Sequence, residues 1–447
     1  MTSRSTQTVS ESQNRLRDRV LVIAPHGSYR TSAFIQAANN LNIDVLIASQ
    51  GEHSIVSEYV RGLHIDQRYG DEALKIILDE AAQHAFVAVI GTDDVSTELA
   101  AVVASKLGLP HNLPAAVKMT QRKDLSRKML KQAGVKIPEF LIIDSSQPLS
   151  DSIPEPGIEQ VSEQDSVVKF PAVIKPVALS ASRGVIRVNN LAELQQAVAR
   201  VSTMMQAEQQ IESTVRQTLL LEEFIPGVEV AVEGMLYNGE LDILAIFDKP
   251  DPLEGPYFEE TYYITPSSHS TEIQADIKQT IQEACQAFGL TQGPVHAECR
   301  INEHGVWVLE VAARTIGGLC GRLLNLGTGY SLEELVLLQA MGKRVSISVF
   351  DGAAGVLMVP IPGAGILKRV EGLLDAQRVN YISEVNIQVR EGYELVPLPE
   401  GSSYLGFIFS QAPTVKQAEQ ALRDAHACLK FVLAPLWKIA GKTPAMM

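Results

Sequence analysis

The stretch PVHAECRINEHGVWVLEVAAR, Pro294–Arg314, alternates apolar and polar residues on both sides of a turn at Asn302–Gly305, and so reads as two antiparallel strands. With the hairpin centred on His304, residues equidistant from it face one another, which sets Glu298 opposite Glu310. The Cβ atoms of such a pair lie roughly 5 Å apart, where two carboxylates repel unless a cation joins them. Period-two alternation adds Arg300 and Arg314 to the same faces. Hard oxygen ligands in small number at this spacing suit Mg²⁺ completed by phosphate oxygens and water. The alternative is a solvated sheet face with Arg–Glu pairing, although Val295, Val306, Val308 and Leu309 mark the hairpin as partly buried.

Upstream, strand and helix patterns alternate. Arg19–Ala24, Asp44–Ala48 and Phe86–Ile90 read as buried strands, and the patterns through Phe34–Leu41, Leu74–His84 and Ser96–Leu107 read as helices. That order predicts a parallel sheet covered by helices over 19–117, behind a polar tail at 1–18 that reads as disordered. Pro25-His26-Gly27-Ser28 follows the first strand, where such sheets bind ligands, but no GxGxxG follows and a tight strand-to-helix turn is the plainer reading. A helix holding Lys118–Ala133 comes next, stopped by Gly134 and Pro138. The run 145–166, rich in Ser, Pro and acids, reads as a surface insert. Strands are expected at Pro171–Lys175, Gly184–Val188, Thr218–Glu223, Glu229–Tyr237 and Glu240–Asp248, with a helix over Leu191–Ala207 and an Asn238-Gly239 hairpin turn. A last α/β unit follows over 343–447.

The 447 residues carry 52 acidic against 38 basic side chains, a formal net charge of −14, which argues against a nucleic acid as partner. With 46% hydrophobic residues the chain is globular, and its length implies several domains. The four cysteines are scattered without a CxxC pair, as expected of reduced thiols in a cytoplasmic protein. The first eighteen residues lack the apolar stretch of a signal peptide, and no run of about 18 apolar residues exists to span a membrane.

Three further segments carry chemistry. Lys175 ends the apolar run FPAVIK before the small-residue loop PVALSASRGV, where an ammonium and backbone N–H groups can surround a phosphate; a solvated strand end is the alternative. Lys123 in TQRKDLSRKML fits a surface helix position as well as a phosphate contact. Glu222, Glu223, Phe224 and Ile225 lie between the apolar run TLLL and Pro226-Gly227, where free backbone groups can meet the edge of an adenine; acids bounding a strand are the plainer reading.

The order of these pieces, a helix lysine, a strand lysine with a small-residue loop, LEEFIPGVEV, then paired glutamates ending in ExxxR, resembles the ATP-grasp superfamily over 118–342. The units on either side resemble the flanking domains of biotin-carboxylase-like members, so the implied fold class is mixed α/β and α+β: an ATP-grasp fold with a parallel α/β N-terminal domain and a biotin-carboxylase-like C-terminal domain. GPYFEETYYITPS and LEVAARTIGG look most like the L-amino-acid ligases of the bacilysin-synthetase type and related carboxylate-amine ligases. The resemblance implies ATP phosphate contacts at Lys123 and Lys175, a closing loop at Ser180, Ser182, Arg183 and Gly184, an adenine hinge at Glu222–Ile225 and a ribose contact at Glu229. It further implies two Mg²⁺ ions, with Mn²⁺ as substitute, on Glu298 and Glu310, and Arg314 facing an acyl phosphate. Many members carry Asn two residues beyond the second metal glutamate; here that residue is Ala312, a departure the named ligase branch shares. Biotin carboxylases have a longer glycine run in the phosphate loop and a Glu-His-Pro motif after the arginine, whereas LSASRG and TIGGLCGR stand here, so carboxylation of biotin is not expected.

The implied reaction joins a small-molecule carboxylate to an amine, with amino acids as the expected substrates. ATP phosphorylates the carboxylate and the amine displaces phosphate. Glu259 and Glu260 are candidate proton acceptors or ammonium anchors, Tyr262 or Tyr263 candidate pocket walls, and Gly317 and Gly318 candidate contacts for a substrate carboxylate. An ordinary gate loop and a simple turn are the alternatives for these segments, and His26 and His296 read as packed histidines. The rival functions are a glycinamide-ligase-like enzyme using a non-amino-acid carboxylate and a nucleotide-binding protein without turnover. A homodimer is the assembly the resemblance implies.

Overall fold

The structure is a computed structural model that describes residues 18–26, 28–49, 62–66, 70–149, 168–324, 329–347 and 352–436. All but the last residue of the tail expected at 1–18, and most of the insert expected at 145–166, lie outside the described residues.

Three assemblies surround the hairpin. The strands Arg19–Ala24, Asp44–Ser49, Gly62–His64 and Ala88–Gly91 form a fully parallel four-stranded sheet, as the alternating pattern requires. The helix Asp94–Leu107 starts at Asp93, whose carboxylate forms a capping box with Ser96. A second four-stranded sheet is antiparallel, with the order Phe140–Asp144, Thr218–Glu223, Ala172–Pro176, Ile186–Val188. The helix Leu191–Ala207 packs Leu194, Val198, Val201 and Met205 against its apolar face.

The third assembly is an eight-stranded antiparallel sheet. From one edge it contains Gly305–Ala312, Gln292–Asn302, Val228–Tyr237, Glu240–Asp248, Tyr262–Thr265, Ala353–Val359, Gly406–Ala412 and Ile382–Ile387. One sheet therefore runs without a break across residue 342, because Tyr262–Thr265 pairs with Ala354–Leu357. A small three-stranded sheet, Glu394–Leu395, Gly365–Glu371 and Lys430–Ala434, flanks its far end. The largest core cluster joins Phe34 and Val20 of the parallel sheet region to Leu335, Ile316, Phe247, Tyr263, Met358 and Phe407, so the N-terminal unit and the large sheet share apolar packing. Among the described residues no helix is long and apolar enough to cross a membrane, and all four cysteines are free.

The hairpin differs from the symmetric one read from sequence. At its tip Asn302 pairs with Gly305, which centres the turn between Glu303 and His304 rather than on His304. A bulge at Leu309 then adds one residue, and beyond it the register becomes the expected one, with Glu298 opposite Glu310 and His296 opposite Ala312. The single helix expected over Lys118–Ala133 is also broken. Arg122 is extended (φ −116°, ψ 101°), separating Pro114–Gln121 from Lys123–Gln132. The break has a partner: the Lys123 N–H donates to the Val177 carbonyl at 3.0 Å, and Lys123 becomes the first residue of its own helix.

Gly227, after the strand-to-linker transition, holds φ +125°, and a Cβ there would run into the Ile301 carbonyl of the hairpin. Gly227→Ala is expected to lower the unfolding free energy by about 2 kcal/mol or more, read by urea denaturation. A variant within 0.5 kcal/mol of the parent, roughly the scatter of a neutral surface change, contradicts this close approach.

Candidate active site

A cavity of about 500 Å³ opens where the three assemblies meet. One end is walled by the small antiparallel sheet and the hinge: Val173, Phe224, Ile225, Leu253, Phe258 and Leu309 form an apolar slot. Phe224 and Phe258 stack at 6.3 Å between centroids, and the Arg300 guanidinium lies 4.7 Å from the Phe224 centroid. A slot of this kind accepts a planar base.

Beside the slot, Lys175 Nζ and Arg127 Nε each hold one oxygen of Glu222 at 2.5 Å, and Arg127 also donates to the Leu309 carbonyl at 2.6 Å. All three side chains are buried. Burial works against the Glu222 charge, but Arg127 and Lys175 hold its carboxyl below the usual range; burial lowers the Lys175 ammonium despite Glu222. The Glu222 carboxylate is thus committed to orienting Lys175. The N–H groups of Glu223 and Phe224 are engaged as well, donating to the carbonyls of Glu139 and Pro171. Lys123 Nζ donates to the Leu179 carbonyl at 2.9 Å and lies 3.2 Å from Glu310 Oε2, which brings the helix lysine, the small-residue loop and the hairpin together.

The floor is acidic. Lys249, at the end of the strand run IFDK, sets its Nζ 2.8 Å from Glu229, 2.5 Å from Glu260 and 3.2 Å from Glu298. Arg300 takes the other oxygen of Glu229 at 2.9 Å and the Ile225 carbonyl at 2.8 Å. His296 lies between Glu233 at 3.5 Å and Glu298 at 3.7 Å. Burial and the neighbouring Glu298 push the Glu260 carboxyl up to about 7. Burial opposes the Glu298 charge too, yet Lys249 and His296 keep that carboxyl well below the usual range. Glu298 and Glu310, both lining the cavity and paired across the hairpin, are hard oxygen donors facing open space, a donor set that fits Mg²⁺.

The opposite wall is a loop held from both sides. Arg314 Nε bonds Asp94 at 2.7 Å, and Arg30 donates to the Thr92 carbonyl at 2.8 Å, Thr315 Oγ1 at 2.5 Å and the Ile316 carbonyl at 2.9 Å. From the sheet side, Glu233 accepts the Ile316 N–H at 2.9 Å. Gly317 and Gly318 follow at the cavity wall, near Met358, Tyr404 and Phe407.

Of the residues singled out from sequence, Lys123, Lys175, Ser180, Ser182, Glu222–Ile225, Glu229, Glu260, Tyr263, His296, Glu298, Glu310, Arg314, Gly317 and Gly318 line this cavity. Others are placed elsewhere. Arg183 turns to Glu208 at 2.8 Å and to the Glu400 carbonyl, and the Gly184 N–H donates to Pro399, so neither faces the cavity as expected. Glu259 lies beside the 397–404 loop and accepts the Ile361 N–H at 3.3 Å. Tyr262 packs in the opposite core with Leu357 and Leu422, and His26 is exposed outside the cavity. Missed altogether were Lys249, Arg127, Glu233, Arg30 and Asp94. A signal existed for Lys249: IFDKP repeats the strand–Lys–Pro pattern of AVIKP at Lys175.

Residues 168–322 match the ATP-grasp domain, and residues 357–434 match the L-amino acid ligase C-terminal domain 2. Carnosine synthase 1 of Homo sapiens is 26% identical over 58% of this chain and 31% of its own length. Dapdiamide A synthase of Enterobacter agglomerans is 27% identical over 58% of this chain and 62% of its own length. This chain thus spans less than two thirds of either relative. The crystal structure of an L-amino acid ligase from Bacillus licheniformis superposes with a TM-score of 0.75 at 24% identity, covering 94% of this chain and 99% of that one, a likeness of fold.

The buried imidazole of His296 gives a pH test. Burial alone would lower it, but Glu233 and Glu298 outweigh burial and push it up to about 9 from the usual 6.5. The stability this charge contributes is whole below pH 6.5 and is lost as pH rises through about 9. In metal-free protein, the gap in unfolding free energy between the parent and His296→Gln should therefore shrink over that window. A constant gap contradicts a protonated His296.

Proposed function

We propose that this chain, which carries an ATP-grasp domain followed by an L-amino acid ligase C-terminal domain, is an ADP-forming ligase that joins a carboxylate to an amine, with amino acids as substrates. The observation that carries the reading is the convergence on one cavity of Lys123, Lys175, Arg314 and the opposed pair Glu298 and Glu310.

ATP fits with its base in the Phe224–Phe258 slot, its ribose toward Glu229 and its phosphates between Lys123, Lys175 and the Ser180–Ser182 loop. Glu298 and Glu310 would hold Mg²⁺, which neutralises phosphate charge and polarises the γ-phosphoryl group. A carboxylate oxygen of the first substrate attacks the γ-phosphorus; the bond to the bridging oxygen breaks, leaving ADP and an acyl phosphate. Arg314, held at a fixed angle by Asp94, faces the charge that builds on the transferring group. The amine then attacks the acyl carbon, phosphate leaves, and the amine loses a proton. Glu260, with its carboxyl at about 7, is suited to take that proton or to anchor the ammonium. An acyl phosphate hydrolyses in water, so the cavity's enclosure by three assemblies protects it.

The expected assay result is ADP and phosphate release that depends on a pair of amino acids, with the dipeptide identified by mass spectrometry. Glu310→Ala should cut turnover at least 100-fold and weaken Mg²⁺-dependent nucleotide binding. Amine-independent ATP hydrolysis, or a Glu310→Ala variant with unchanged nucleotide affinity, rejects the assignment.

A further inference from the structure

Lys249 has no counterpart among the residues expected to act on ATP or substrate, yet it is the node of the cavity floor. Its side chain is 3% exposed, and its ammonium touches three carboxylates from three different strands or loops, Glu229, Glu260 and Glu298. One oxygen from each of these acids lies within 4.8 Å of the other two, the spacing of a ligand set for a divalent cation. The ring of Tyr263 closes another side, with its centroid 5.1 Å from the ammonium.

Three carboxylates this close repel one another strongly in a buried setting, so the cluster must protonate, bind a metal or hold a fixed cation. A flexible lysine stem reaching from a strand end supplies the last of these, with one donor for each acid. Two of the acids have further partners. Glu229 has its other oxygen on Arg300, and Glu298 is the residue opposite Glu310 in the hairpin register.

We propose that Lys249 is a positioning residue that acts as a built-in cation: its ammonium fills the Glu229–Glu260–Glu298 cage and excludes a divalent metal from it, so that Glu298 is not taken up by a metal there. The cage rests on the side-chain geometry alone. The consequence for turnover rests on the ligase reading above. Mg²⁺ taken into the cage would coordinate Glu298 and Glu260, carboxylates to which that reading gives other tasks.

The test counts bound Mn²⁺ by electron paramagnetic resonance in nucleotide-free protein, which needs neither a substrate nor turnover. Lys249→Met should bind one more Mn²⁺ per chain than the parent, and Lys249→Arg, which keeps the charge in the cage, should bind the parent number. In the amino-acid-dependent ADP assay, Lys249→Met should lose at least 100-fold in kcat and Lys249→Arg less than tenfold. An unchanged Mn²⁺ count in Lys249→Met, or equal losses in the two variants, overturns the proposal, since equal losses indicate packing and not charge. Should Lys249→Met not fold, Lys249→Arg decides: an extra Mn²⁺ or a 100-fold loss there overturns it, and parent-like values support it. A parent protein that never turns over rejects the ligase reading and leaves the Mn²⁺ comparison standing as the test of the cage.

Discussion

Two carboxylates face each other across neighbouring strands at Glu298 and Glu310, and the surrounding structure is arranged to make that tolerable. At an effective dielectric of about 20, like unit charges 4 Å apart cost about 4 kcal/mol. Each acid is accordingly met by a cation from another element: Lys249 comes to Glu298 from the next strand but one, and Lys123 comes to Glu310 from a helix N-terminus. Removing either member of such a buried pair leaves an uncompensated charge.

The same logic extends outward from the hairpin. Glu222 is matched by Lys175 and Arg127, Glu229 by Lys249 and Arg300, and Asp94 by Arg314. The Glu229 pairings tie strands of the large sheet to one another, whereas Arg314–Asp94 and Arg127–Glu222 join elements 220 and 95 positions apart, so satisfying those charges also fixes separate assemblies together. Arg127 is the clearest case: from one helix it holds the strand-end Glu222 of the small sheet and the bulge carbonyl of Leu309 in the large one. The bulge therefore has two effects, restoring the register that opposes the glutamates and presenting a carbonyl that anchors the helix behind Lys123.

Much of this was legible in the sequence where period and turn chemistry decide it. The strands Thr218–Glu223 and Glu240–Asp248 and the helix Leu191–Ala207 have the bounds that alternation, the Asn-Gly turn and helical spacing imply. The Glu298–Glu310 opposition was also legible, although two departures from symmetry cancel to produce it. Illegible were partners supplied from a distance. Glu222 looked like a strand boundary because nothing near it announces Arg127, 95 residues away. Arg183 looked like part of a phosphate loop because the carbonyl and the acid that draw it off, at Glu400 and Glu208, belong to other elements. Periodicity reports which face a side chain occupies; which charge awaits it there is set by the packing of whole assemblies.

That packing also explains where the C-terminal unit enters the chemistry. The 397–404 loop receives the Gly184 N–H, and Glu400 binds Arg200 through both oxygens at 2.6 and 2.9 Å, so the small sheet that carries the Ser180–Gly184 loop rests on the C-terminal unit. Ser402, Ser403 and Tyr404 of the same loop line the cavity beside Ser180–Ser182. The Ser180–Gly184 loop is thus supported by residues more than 200 positions later in the chain. The Ser180–Ser182 loop and the 402–404 segment thus form one continuous wall of the cavity, so a shift of either loop reshapes the same wall.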